Sequence, residues 1–121
     1  MVNTLSQAVD LCDLLGKGVG VACDVYHLWW DPDLQTQIAS AGQSRILAYH
    51  ICDWLSDTKH LLLDRGMMGD GVIDLPQIRS WVENTGYSGF HEVEIFSQEN
   101  WWKRDPEDVL RICIERHQKC S

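Results

Sequence analysis

An α/β fold with a parallel sheet is predicted by three features of the chain. Helical and strand-like runs alternate from end to end, and the strand-like runs are apolar almost without interruption, as strands covered on both faces are. An aspartate followed by proline opens a helix at Asp31-Pro32 and again at Asp105-Pro106. The resulting order, α-β-α-β-α-β-α, requires right-handed crossovers between parallel neighbours.

The first helix is predicted over residues 4–15, where Leu5, Ala8, Val9, Cys12 and Leu15 recur at helical spacing behind a Thr4 cap, and Gly16 and Gly18 stop it. Residues 19–26 read as the first buried strand. Asp31 then caps a helix with Pro32 at its first position, which runs to Ala41 and ends at Gly42. Residues 45–52 form the second strand, followed by a loop of about twenty residues, longer than most connections. A helix over residues 75–85 closes at Gly86, and residues 90–96 form the third strand. Asp105-Pro106-Glu107 restarts the capping device, and Val109, Leu110, Cys113 and Ile114 are expected to give the last helix its apolar stripe. Trp81, in mid-helix, is assigned to the core.

At 121 residues the chain is one domain or one piece of a domain, about half of a (β/α)8 barrel of ~250 residues. Three parallel strands leave two unpaired edges, an unusual stopping point, so residues 1–121 read as a partial domain. The net charge of −8 argues against a nucleic-acid or anionic-membrane partner and favours small-molecule or metal chemistry. No stretch reaches the ~18 apolar residues of a membrane helix, and the N-terminus lacks the charged and apolar regions of a signal peptide. Five cysteines without a Cys-x-x-Cys pair suit reduced thiols and a cytoplasmic location.

Strand alternation singles out three side chains. Residues two apart share a face, so Gly20, Ala22 and Asp24 line up on the first strand, Ile46, Ala48 and His50 on the second, and Phe90, Glu92 and Glu94 on the third. Asp24, His50 and Glu94 then stand at the carboxyl ends of successive strands, where α/β proteins assemble their sites. Two carboxylates and an imidazole suit Mn²⁺, Mg²⁺ or Co²⁺ better than a structural zinc, which favours thiolates. Taken singly, Asp24 also fits a helix cap or turn residue and His50 a hydrogen-bonded core histidine. Trp29-Trp30, Trp54 and Trp101-Trp102 follow strand ends and are expected either to rim the mouth, where their faces stack on a sugar ring, or to pack loops onto helices. In the long loop, Arg65 fits a grip on an anionic substrate group or a surface ion pair with Asp64 or Asp70.

Asp24-Val25-Tyr26-His27, His50-Ile51-Cys52-Asp53, Gly69-Asp70-Gly71-Val72-Ile73-Asp74 and Gly86-Tyr87-Ser88-Gly89-Phe90 leading to Glu92-Val93-Glu94-Ile95-Phe96 together resemble, in order, the C-terminal part of the xylose isomerase-like TIM barrels. That superfamily includes sugar-phosphate isomerases and epimerases, ketose 3-epimerases and inosose dehydratases. The resemblance implies a partial (β/α)8 barrel in which Asp24, His50 and Glu94 are metal ligands from the sixth, seventh and eighth strands. It also implies that His27 contacts substrate oxygens and that Glu94 transfers a proton. The family's remaining metal-binding glutamate, on the fifth strand, has no counterpart in this chain, and the arginine that some ketose epimerases carry six residues beyond the histidine is Ser56.

The expected function is therefore part of a metal-dependent sugar or sugar-phosphate isomerase or epimerase, with substrate contacts from His27, Arg65 and Trp30. The isolated chain is expected to be inactive, because metal and acid/base groups act as a unit. The alternative from another class is a non-catalytic assembly module derived from such a barrel. Phosphoester cleavage of the endonuclease IV kind needs a larger histidine-rich zinc cluster than five histidines reproduce. Open sheet edges predict a homodimer, or another chain or segment covering the missing half.

Overall fold

The computed structural model describes all 121 residues. Helix α1 (Leu5–Leu15) leads to strand β1 (Val21–Asp24), a single turn α2 (Val25–Leu28) and helix α3 (Leu34–Arg45). Strand β2 (Ile46–Ile51), helix α4 (Leu75–Asn84), strand β3 (His91–Val93), a 3₁₀ turn (Trp101–Lys103) and helix α5 (Pro106–Cys120) complete the chain. The strands form one parallel sheet in the order β1-β2-β3, as predicted. No helix is long and apolar enough to cross a membrane.

Local chemistry explains most boundaries. Thr4 and Gln7 cap α1 reciprocally, each side chain accepting from the other's end of the turn, and Gly16 takes the positive φ of 88° that ends it. Asp105 accepts from the backbone N–H of Glu107 and Asp108 in front of Pro106, so the capping device at α5 forms as expected. At α3 it does not. Asp33 occupies the cap position, while Asp31 spends its carboxylate on Asp33 N–H and on the Gln37 amide. Gly42 breaks the helical dihedrals after Ala41, with φ 62°.

The core lies between the sheet and its helices. Val21, Cys23, Tyr49 and Ile51 meet Leu34, Ile38 and Ala41 of α3, Leu75, Ile78 and Val82 of α4, and Met67 and Met68 of the long loop. The other side of the sheet, which a closed barrel would enclose, is open. Ile46 was expected there and is not: it pairs with Val21 and is buried toward the helices. The register shifts between Val21 and Ala22, which pair with Ile46 and Ala48, so Leu47 is the extra residue and it turns out to the open side, 63% exposed. Gly20 permits this, since any Cβ there would collide with the Leu47 side chain and the Arg45 carbonyl.

The stripe on α5 is also phased differently from expectation. Val109, Ile112, Cys113 and Cys120 pack toward the core, whereas Leu110 and Ile114 are exposed.

Candidate functional site

Register brings the three strand ends level. Asp24 pairs with His50 and His50 with Glu92, and Glu94 N–H donates to the Ile51 carbonyl at 3.0 Å just past the end of β3. One ligand atom from each of Asp24, His50 and Glu94 lies within 4.8 Å of the others. His50 Nδ1 is 3.7 Å from Glu94 and its Nε2 is 3.8 Å from Glu92.

Asp24 also turns the chain. Its Oδ1 accepts from Tyr26 N–H at 2.9 Å and caps α2, so the apolar run expected to continue as strand to Tyr26 becomes helical at Val25. Both readings of Asp24, cap and site carboxylate, therefore describe one residue. Oδ1 serves the backbone and Oδ2 faces the mouth.

Arg65 enters from the long loop. The backbone on either side of it is clamped: Asp53 and Gly66 exchange both backbone hydrogen bonds at 2.9 and 2.8 Å, and Arg65 N–H donates to the Phe96 carbonyl at 2.9 Å. Its guanidinium, 2% exposed, donates through Nη1 to Asp24 Oδ2 at 3.1 Å and to Glu94 Oε2 at 3.0 Å. Nη2 lies 3.3 Å from His27 Nε2, and the group stands over the rings of Tyr26 and Phe96. A surface ion pair with Asp64 or Asp70 is thus excluded; Asp70 instead pairs with Arg116. Burial is the largest influence and disfavours the charge on Arg65, but Asp24 and Cys52 with their hydrogen bonds together hold the guanidinium above its ordinary value.

Asp53 fixes the rest of that loop. Fully enclosed, its carboxylate accepts from the backbone N–H of Trp54, Gly69, Gly71 and Ile73 at 2.8–3.0 Å. Four donors on one carboxylate substitute for regular secondary structure, which is how so long a connection stays ordered. Cys52, 3.8 Å from Arg65, is no thiolate ligand: burial, then Asp24, pushes its thiol up to about 12.

The remaining candidates divide. His27 faces the mouth, with Nε2 3.7 Å from Asp24, and Trp30 stands beside it with its indole N–H on the His27 carbonyl. Trp54 lies against Tyr26 at 4.7 Å between ring centroids. Trp101 is buried under the Arg104 guanidinium and Trp29 is half-buried against the core, so the rim is Trp30 and Trp54, with Trp102 outside against Phe96. Trp81 is half-buried on the core.

The donor set fits a divalent cation. Two carboxylates and an imidazole are hard-to-borderline ligands, and Asp24 and Glu94 with Arg65 leave one net negative charge for the ion to neutralise.

Comparison with known proteins matches this fold. The chain is 62% identical to the crystal structure of protein SMc04130 from Sinorhizobium meliloti 1021, with a TM-score of 0.95, covering 98% of this chain and 44% of that one. It is 26% identical to the IolI protein solved with a bound zinc atom, with a TM-score of 0.83 over 96% of this chain and 42% of that one. In sequence it is 30% identical over 117 residues to the inosose isomerase of Bacillus licheniformis, 94% of this chain and 42% of the relative. The chain thus spans less than half the length of the proteins it matches. Residues 1–113 match the profile of one family, and the chain belongs to it: the xylose isomerase-like TIM barrel family.

Proposed function

We propose that the chain carries three βα units of a metal-dependent sugar isomerase or epimerase barrel, with Asp24, His50 and Glu94 as ligands of one divalent ion. The observation that carries this reading is the convergence of those three side chains within 4.8 Å at one end of the sheet. A divalent ion held by Asp24, His50 and Glu94 would supply Lewis-acid polarisation of the oxygens of a hydroxyketone. Everything else falls to the chain's own groups. Glu94, a third exposed and hydrogen-bonded to Arg65, takes and returns the proton next to the carbonyl. Arg65 holds Asp24 and Glu94 in place, with its Nη1 on an oxygen of each. His27, its Nε2 3.3 Å from the Arg65 guanidinium, presents its ring to a substrate hydroxyl. Trp30 flanks that position. The five free cysteines suit the cytoplasm.

The resemblance assigns a further metal-binding glutamate to a strand that this chain does not contain, so the 121 residues alone are expected to bind the ion and not to turn over substrate. Titration with Co²⁺, followed by its visible absorption, tests the site. Asp24→Asn, His50→Gln and Glu94→Gln should each weaken binding by at least the 10- to 100-fold that loss of a supporting group alone costs. Binding unaffected by all three variants overturns the site, and turnover of a ketose by the unmodified chain, lost in Glu94→Gln, overturns its incompleteness.

One observation favours a second reading. Arg65 already bridges both carboxylates without an ion, as a non-catalytic assembly module would require. Absence of any Co²⁺ spectrum would favour it.

A further inference from the structure

A second pair of ligating side chains lies on the far side of β3 from the triad. Strand alternation turns Glu92 toward His50 and sends His91 to the helix side, where its ring packs edge-on to Tyr49 at 5.1 Å. There it meets His117, from the last turn of α5. His91 Nδ1 and His117 Nε2 face each other at 3.1 Å, with the rings inclined at 64°.

Two imidazole nitrogens so placed suit one metal ion. At a metal–nitrogen distance of ~2.0–2.1 Å, nitrogens 3.1 Å apart subtend about 100° at the cation, as neighbours in a distorted tetrahedral sphere do. The surroundings fit as well. Glu83 Oε1 stands 3.8 Å from Nε2, the opposite nitrogen of His91, and the Arg79 Nε–H donates to that oxygen at 2.7 Å and holds it there. A carboxylate on the far side of a ligating imidazole is the partner that sets its orientation. Both histidines line an open cavity of about 440 Å³, so water reaches the remaining coordination positions. Cys113 lines the same cavity but lies with its Sγ 3.9 Å from Met67 Sδ, which leaves nitrogen and water as the donors. Imidazole without carboxylate favours Zn²⁺, Ni²⁺ or Cu²⁺ over the harder Mg²⁺ and Mn²⁺.

We propose that His91 and His117 form a second metal site, for Zn²⁺ or a cation of its class, which staples the end of α5 to β3. The helix has use for such a staple. None of its residues is fully buried, and its apolar stripe is only partly covered. An ion held by the folded pair and not by the unfolded chain stabilises this docking by mass action. The site shares no residue with the triad and does not depend on the function proposed for it.

The test titrates the chelator-treated 121-residue protein with Zn²⁺, following the imidazole resonances of His91 and His117 by NMR and the thermal midpoint in parallel. Both imidazoles should shift together, and the midpoint should rise with Zn²⁺. His117→Gln, at a half-buried helix position, should abolish the shift of His91 and reduce the rise in midpoint while circular dichroism keeps the fold. His91→Phe, which retains a ring against Tyr49, should do the same to His117. Glu83→Gln should weaken this binding by about tenfold or more, as loss of an orienting carboxylate does. Glu94→Gln, in the triad, should leave the shifts of His91 and His117 unchanged. Zn²⁺ bound elsewhere with both imidazoles unmoved, or a His91 shift that survives His117→Gln, overturns the proposal and leaves an N–H···N hydrogen bond between the rings. Loss of the paired shift in Glu94→Gln overturns it as well, because the ion would then belong to the triad.

Discussion

Arg65 and Asp24 are 41 residues apart in sequence and 3.1 Å apart in the fold, and their pairing decides how the site behaves without a ligand. A guanidinium at 2% exposure is costly to bury, and Asp24 and Glu94 are what make it tolerable. Removing it leaves Asp24 enclosed without a countercharge. Arg65→Met should therefore destabilise the fold by about 3 kcal/mol, the low end for a broken buried pair because Glu94 remains a third exposed. Arg65→Lys should recover little, since an ammonium cannot reach both carboxylates and His27 from one plane. Urea unfolding of the three proteins checks this, and a Lys variant as stable as the parent would show that charge alone suffices. The contrast with the triad is instructive. Asp24, His50 and Glu94 were legible because strand alternation and common depth are periodic signals, whereas nothing local to Arg65 indicates which acids it will meet.

Elements were legible where their signals are local and illegible where a neighbour sets them. Caps at Thr4 and Asp105 and the glycine stop at Gly16 work within one turn, and they held. The extra residue in β2 depends on Gly20 of the adjacent strand admitting Leu47, so the side that Ile46 faces could not be read from its own strand. Helix α5 shows the same dependence. No residue on it is fully buried, and it docks through a partly apolar stripe and a polar contact, His117 Nε2 to His91 Nδ1 at 3.1 Å. His91 is pressed from all sides: Tyr49 packs edge-on at 5.1 Å, and Glu83 lies 3.8 Å from its other nitrogen. Burial, then Arg79 and His117, lower its pKa below the ordinary histidine value, against the pull of Glu83. The unfolded chain then binds a proton that the fold resists, so this contribution is intact above about pH 6.5 and is lost as the pH falls below it. The thermal midpoint should fall between pH 7.5 and 5.5, and fall less in His91→Phe, which keeps the ring against Tyr49 and cannot titrate. Equal slopes in the two proteins would remove His91 as the cause.

At the scale of the molecule the sheet is open on one face and at both edges. Only 27 of 121 residues are buried, and the side of the sheet opposite the helices presents Ala22 and Leu47, with Phe90 84% exposed just before β3, alongside both unpaired edges of β1 and β3. Leu11, Leu14 and Leu15 of α1 and Leu110 and Ile114 of α5 add apolar surface at the flanks. Apolar exposure on this scale marks an interface or an aggregation liability, and an open parallel edge offers its unpaired N–H and C=O groups to any strand that arrives. In the longer proteins that this chain matches over 42–44% of their length, the remaining chain is available as cover. The 121 residues by themselves have only each other. We therefore expect self-association at low micromolar concentration, with a homodimer that stacks the open faces or joins strand edges and buries on the order of 2,000 Å² or more, as obligate pairs do. Leu47→Glu, a charge placed on the open face at a residue the core does not use, should shift the chain toward monomer without changing its helical circular dichroism. Sedimentation equilibrium decides: a monomer with a cooperative thermal transition would mean that the open face is stable in water, and that the exposed leucines and Phe90 are tolerated rather than waiting for a partner.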